Sequence, residues 1–176
     1  MRMRLIGLLA LAAAFAAAPS ARAADSAGCT EFMWPLATEI AWFEADTSEK
    51  VASGATLAAL PEGKAIEVAL EPAAKATLPV KPTSTPKAED AEKFVGTVTI
   101  DSFPGPGAYQ VAISASGWID VVQNGAPLES IAHTGSPNCN VLRKSVRYEV
   151  GAGPVSIQVS SVPKDSIRIA VRPAAD

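Results

Sequence analysis

From residue 65 onward the apolar residues recur with a period of two, and that alternation constrains the fold more than any other feature of the chain. Ile66, Val68 and Leu70 alternate with Glu67 and Glu71, and Phe94, Val98 and Ile100 share one phase. Tyr109-Val111-Ile113, the runs 118–122 and 128–132, Val146-Tyr148-Val150, Val155-Ile157-Val159 and Ile167-Ile169-Val171 follow. Successive side chains of a strand point to opposite faces, so each run reads as a short, half-buried strand. That makes about eight strands. The punctuation agrees. Asn124-Gly125 between two runs is a hairpin signal, Gly151-Ala152-Gly153-Pro154 separates another hairpin, and Pro104-Gly105-Pro106-Gly107 breaks the chain before Tyr109. Strands at this spacing predict a mainly β fold: an antiparallel, jelly-roll-like β-sandwich.

Two segments depart from the pattern. In residues 30–44, Pro35 suits the first turn of a helix, and Leu36, Ile40 and Phe43 recur at helical spacing. A short N-terminal helix lying on the sandwich is expected there, with Trp42 pointing away from the apolar stripe. Residues 72–92 carry Pro72, Pro79, Pro82 and Pro86 with scattered Lys and Thr and no buried period. They read as a Pro-rich loop or edge segment within one domain spanning 24–176.

Residues 1–23 are expected to be a secretory signal peptide. Arg2 and Arg4 precede the apolar run 5–18, and Ala21-Arg22-Ala23 supplies an A-x-A cleavage site. The run is shorter than the ~20 residues of a membrane span, and no second one follows, so no span is expected in the mature chain. Ser26-Ala27-Gly28-Cys29 ends like a lipobox, but Ser26 stands where that motif wants an aliphatic residue. Loss of the three arginines in 1–23 leaves 12 basic and 18 acidic residues, a net charge of −6. A surface of that sign repels phosphate backbones, so nucleic acid is not an expected partner. The two cysteines, Cys29 and Cys139, are expected to form a disulfide in an oxidising compartment, periplasmic or extracellular.

The residue inventory restricts the chemistry. His133 is the one histidine, whereas a two-His-one-carboxylate iron site and the usual zinc hydrolase sites need at least two. H-E-x-x-H, the P-loop and G-x-G-x-x-G are missing, and no cofactor or metal is expected. A hydrolase would have to use His133, with Ser136 and Asp120 as conceivable partners, or a carboxylate pair that nothing singles out. The densest polar and aromatic cluster runs from Trp118 to Arg147 and includes Asp120, Gln123, Asn124, His133, Asn138, Asn140, Arg143 and Lys144. A strand starting at Trp118 turns Trp118 and Asp120 to one face. An aromatic plate beside a carboxylate suits sugars and other polyols, whose C–H faces stack on indole while acids and amides take hydroxyls. The competing reading makes Trp118 a core residue and pairs Asp120 with Arg143 or Arg147 across strands. Arg143, Lys144 and Arg147 form a small basic group, suited either to an anionic ligand or to a solvated strand face.

The stretches GAYQVAISASGWIDVVQNG, AHTGSPNC and LRKSVRYEVGAGPVSIQVSS resemble small secreted bacterial β-sandwich proteins. Their rhythm is similar to the pre-peptidase C-terminal type of domain, a jelly-roll-like accessory module. The resemblance covers roughly 94–173 and carries no catalytic signature; the Trp34-Pro35 segment has no counterpart in that module. It implies a domain that binds or positions without catalysing. The expected function is therefore a non-enzymatic binding or accessory role in the cell envelope. The expected ligand is a glycan or small polar molecule met by Trp118, Asp120, Gln123, His133, Arg143 and Lys144. The alternatives are a hydrolytic enzyme using His133 or a carboxylate pair, and a protein-interaction module that meets an envelope protein through sheet edges and residues 72–92.

Overall fold

Each alternating run becomes a strand, and the strands sort into two sheets packed face to face. The computed structural model describes residues 28–174; the signal-peptide segment and the start of the lipobox lie outside the described residues. The strands are β1 (Glu49–Ala52), β2 (Ala55–Leu57), β3 (Ile66–Ala69), β4 (Glu71–Pro72), β5 (Phe94–Ile100), β6 (Gly107–Ile113), β7 (Trp118–Gln123), β8 (Ala126–Pro127), β9 (Ser130–Gly135), β10 (Lys144–Val150), β11 (Val155–Val162) and β12 (Ser166–Pro173). The first sheet has the order β1-β3-β12-β6-β10-β9. The second has the order β2-β5-β11-β7-β8, with β4 also paired to β5.

Eight of these strands coincide with the alternating runs. Of the other four, β2, β4 and β8 are two or three residues long, too short to display a period, and the four residues of β1, Glu-Lys-Val-Ala, do not alternate in polarity. The sheets are also mixed rather than purely antiparallel: β1 pairs parallel with β3, and β2 pairs parallel with β5. The cause is the path of the chain. After β1 it turns through Ser53 and Gly54 into the other sheet instead of folding back as a hairpin. It then returns so that β3 runs alongside β1 in the same direction. Gly54 makes that turn at φ +83°, where a side chain would be strained. The turn 151–154 likewise carries the chain from β10 in the first sheet to β11 in the second, so it closes no hairpin. Asn124-Gly125 does, with both residues at positive φ, as a type I′ turn requires. Its return arm, β8, stops at Pro127, which has no N–H for the ladder. The strand expected at 128–132 consequently begins later, at Ser130, in the other sheet.

The core between the sheets takes one phase from every long strand: Val98 and Ile100, Val111 and Ile113, Ile119 and Val121, Val146 and Tyr148, Ile157 and Val159, Ile167 and Ile169. Tyr148 ties the layers by donating its hydroxyl proton to the Ile119 carbonyl at 2.9 Å.

A third layer covers the outer face of the first sheet. Helix α1 (Ala37–Glu44) starts two residues after Pro35, later than the expected 30–44, and the residues before it form turns and bends. Leu36 and Phe43 pack with Cys29, Cys139 and Leu142 on a sheet surface made of Ala65, Ala112 and Ala170. Those small side chains let the helix approach closely. Trp42 does not project freely; it packs at the margin of this cluster. Cys29 and Cys139 form the disulfide, with Cα atoms 4.5 Å apart and 110 residues between them in sequence. Gly28 is required beside it: φ is +81°, and a Cβ would lie 2.5 Å from the Asn138 carbonyl oxygen. Glu39, fully buried, accepts hydrogen bonds from Arg172 Nε at 2.6 Å and from the Gln110 amide of the sheet. Arg168 donates to the carbonyls of Phe43 and Ala45, meeting the open C-terminal turn of the helix with a cation. No helix among the described residues is long and apolar enough to cross a membrane.

The outer face of the second sheet is covered differently, by residues 73–87. Ala76, Leu78, Val80, Pro82 and Ser84 are half-buried while Thr77, Pro79, Lys81, Thr83 and Thr85 are exposed, so this segment does alternate, as an extended strap. Its prolines keep it out of the ladder. Its N–H groups turn to side chains instead: Val80 to Gln158 Oε1 at 3.4 Å and Thr83 to Asp120 Oδ2 at 3.3 Å. A short 3-10 turn, Ala88–Glu92, leads from the strap into β5.

Candidate functional site

Trp118 opens β7, and the strand period places Asp120 beside it on the outer face. Asp120 is 3% exposed. One carboxylate oxygen accepts from the Thr83 hydroxyl and from Trp118 Nε1 at 3.0 Å. The other accepts from Thr83 N–H and from Gln158 Nε2 at 3.4 Å. Trp118 Nε1 is shared with Thr83 Oγ1 at 2.9 Å, so the polar edge of the indole is pinned. Trp118 is nevertheless 37% exposed, although its polar edge is engaged. Lys144, which opens β10 in the other sheet, holds its ammonium 4.6 Å from the ring centroid, a cation–π contact. Burial lowers the Lys144 amine below its ordinary range. Tyr148 lies four residues further along the same face. Burial and then the negative charge of Asp120 raise its hydroxyl well above the ordinary phenol value, so it stays protonated and donates to Ile119.

The exposed indole forms part of two open clefts of about 530 Å³ each. One is lined by Thr83, Asp120, Leu128, Glu129, Ser130 and Tyr148. The other is lined by Thr83, Ser84, Lys87, Glu89, Asp90 and Lys93. Hydroxyls, carboxylates and amines of both signs therefore surround one aromatic plate.

The remaining expected site residues do not converge here. Gln123 sits at the far end of β7, about 17 Å of strand away. There it clamps the 151–154 turn, accepting from Gly151 N–H at 2.9 Å and donating to the Gly151 carbonyl at 3.1 Å. Arg143 donates to the carbonyls of Pro137 and Cys139 and holds the disulfide loop. Arg147 faces the opposite side of the first sheet, 4.3 Å from the Trp34 ring and 3.4 Å from Gln110 Oε1. The expected basic group is thus split three ways, and Asp120 pairs with neither Arg143 nor Arg147. His133 is exposed on the edge strand β9, opposite Val146 and two residues from Gly135, the partner of Lys144. It lines neither Trp118 cleft. Ser136 donates to the Gly28 carbonyl at 3.1 Å and accepts from Asn138 N–H, so its hydroxyl serves the disulfide loop, while both oxygens of Asp120 serve the strap.

Thr83, Tyr148 and Gln158 complete the site without a sequence signal. Thr83 lies in the strap, more than thirty residues before Trp118, and nothing local says that it will return to β7. Tyr148 looked like an ordinary core strand residue. A scan against protein-family models found no match, and searches of curated proteins and of solved structures found no similar chain. Fold and site together define a disulfide-linked β-sandwich with one face sealed by a helical layer and the other carrying an aromatic cleft.

Proposed function

We propose that this protein is a non-enzymatic binding protein of the cell envelope, periplasmic or secreted, whose clefts at Trp118 take a glycan or a similar polyol. The observation that carries the reading is the pinned yet exposed indole. A side chain that only filled the core would be covered, and one that only capped the strap would not need an open face. A sugar ring would stack on the part of the indole that Lys144 does not cover, with hydroxyls met by Thr83, Glu129, Ser130 or Lys93. The leader-like residues 1–23 and the disulfide support an oxidising compartment outside the cytoplasm. The similarity in rhythm to pre-peptidase C-terminal modules supports a jelly-roll-like accessory role. The engagement of Ser136 in the disulfide loop and of Asp120 with the strap weighs against a triad of His133, Ser136 and Asp120.

The test is titration of the protein with soluble envelope oligosaccharides, followed by NMR. Binding is expected to shift the Trp118 indole N–H, and Trp118→Ala is expected to weaken it at least tenfold while the melting temperature changes by no more than a few degrees. Unchanged affinity in Trp118→Ala would overturn the site. Absence of any shift at millimolar oligosaccharide would overturn the ligand class.

A further inference from the structure

Between the strap and the second sheet lies a further cavity, of about 260 Å³, which adjoins one of the Trp118 clefts and shares Ser84, Asp90 and Ser161 with it. Its walls are apolar: Ala76, Leu78 and Pro82 from the strap, Val95 from β5. Its floor includes Ser160 and Ser161 of β11. Here the pairing of β11 with β5 slips between Val159 and Val162, and Ser161 takes φ +56°. A bulge of this kind interrupts a ladder and re-aims the side chains around it. Ser160 is 4% exposed, and its hydroxyl has no hydrogen-bond partner. Buried polar groups are nearly always paired, and those left unpaired call for a reason. Lys81 and Asp90 also line the cavity, so the charge at its rim is balanced rather than of one sign. Asp90 is itself engaged by the N–H of Lys87 at 2.8 Å.

These features specify an occupant. A cavity of ~150 Å³ lined by apolar groups accepts benzene, so 260 Å³ accommodates a substituted ring. The apolar part of the lining, Ala73, Ala76, Leu78, Pro82, Pro86 and Val95, suits an apolar ring better than a sugar. The balanced rim gives no preference for an anion or a cation. Three serines, Ser84, Ser160 and Ser161, line the cavity; of these the buried Ser160 hydroxyl has no partner and offers one donor and one acceptor to a matching group. We infer that the cavity under the strap is a second binding site, for a small neutral molecule that is mainly apolar and carries one hydroxyl, of about the size of an alkylphenol. The site does not depend on the glycan reading, because Trp118 does not line this cavity and Ala76, Leu78 and Val95 line neither Trp118 cleft.

The probe is p-cresol, with toluene as the partner lacking the hydroxyl, each titrated into the full protein and followed through the methyl resonances of Ala76, Leu78 and Val95. Saturable shifts of these methyls are expected with p-cresol. Ser160→Ala is expected to weaken p-cresol roughly fivefold, the worth of one net hydrogen bond, and to leave toluene unchanged. Leu78→Trp, which fills the space, is expected to abolish both. If that variant loses the native spectrum, the Ser160→Ala comparison of the two probes decides alone. The inference is overturned if p-cresol produces no saturable shift at these methyls, or if Ser160→Ala changes p-cresol and toluene binding alike or neither.

Discussion

The two outer faces of the sandwich are both covered, and they are covered in opposite ways. Residues 28–46 lie on the first sheet over alanines, so close that apolar contact is continuous from Leu36 to Phe43. A disulfide, a buried carboxylate and the Arg168 contacts to the helix end fasten the margins. Residues 73–87 lie on the second sheet over Gln158, Asp120 and Ser160. They are held by a few side-chain hydrogen bonds to Asp120 and Gln158. Small apolar residues beneath a cover produce a seal. Polar residues beneath a proline-broken cover produce isolated attachment points with space between them. The three spaces around the strap and Trp118 are that space; on the helical side the clefts, of about 390 and 400 Å³, lie at the margins, beside Trp42 and beside Phe43 and Glu44.

The contrast can be broken from either side. Replacing both cysteines by serine removes the constraint on a loop of 110 residues; the chain-entropy cost is about 4–5 kcal/mol. Denaturant unfolding is expected to show that loss, with hydrogen exchange rising first in 28–46 and not in the strap. Equal loosening of both covers would mean that the seal does not depend on the disulfide. Asp120→Ala acts on the other face. It leaves Thr83, Trp118 Nε1 and Gln158 without their shared acceptor, at a cost of about 1–3 kcal/mol. Limited proteolysis is expected to cut within 73–87 while the helix stays protected. A strap that stays resistant would show that its apolar contacts suffice.

The smallest effect is at the margin of the sealed face. Glu67 is partly buried, which by itself raises its carboxyl pKa. The hydrogen bond from Arg168, the charges of Lys50 and Arg168 and the Ser48 hydroxyl outweigh that and hold it below the ordinary value of 4.5. A depressed folded value means stability that is present above the unfolded value and lost as pH falls through the folded one. Glu67→Gln is therefore expected to cost up to about 1 kcal/mol at neutral pH. The cost should vanish when melts are repeated well below pH 4. A cost that persists in acid would assign Glu67 a packing role instead.

Much of the fold was legible because burial imposes a period that residues must obey one at a time. Ile66-Val68 and Ile167-Ile169 had to be strands facing a core, and Leu36-Ile40-Phe43 had to be one helical stripe. Strands of two or three residues, such as β2, β4 and β8, carry too few positions to show a period. The parallel pairings depend on where the chain goes after Gly54, which is a long-range matter. Glu39 shows the same limit: its position on the helix is local, but Arg172, its partner at 2.6 Å, lies 133 residues away. At the candidate site, Trp118 and Asp120 were found because they are two apart on one strand. Gln123, Arg143 and Arg147 were grouped with them because they are near in sequence, and the sheets separate them.

What the sequence by itself determined is the set of decisions made by local chemistry. It contains extended chain wherever alternation is sustained, kept out of the ladder in the proline-rich strap, a helix after Pro35, a turn at Asn124-Gly125, and two cysteines with only each other to join. Tertiary structure decided everything that depends on which segments meet. It sorted twelve strands into two mixed sheets, sealed one face and roofed the other, and brought Thr83, Asp120 and Lys144 around one indole. The physical reason is that a side chain's preference for burial acts at its own position. A hydrogen bond between residues 37 apart, such as Thr83 and Asp120, exists only after the core has fixed where both backbones run.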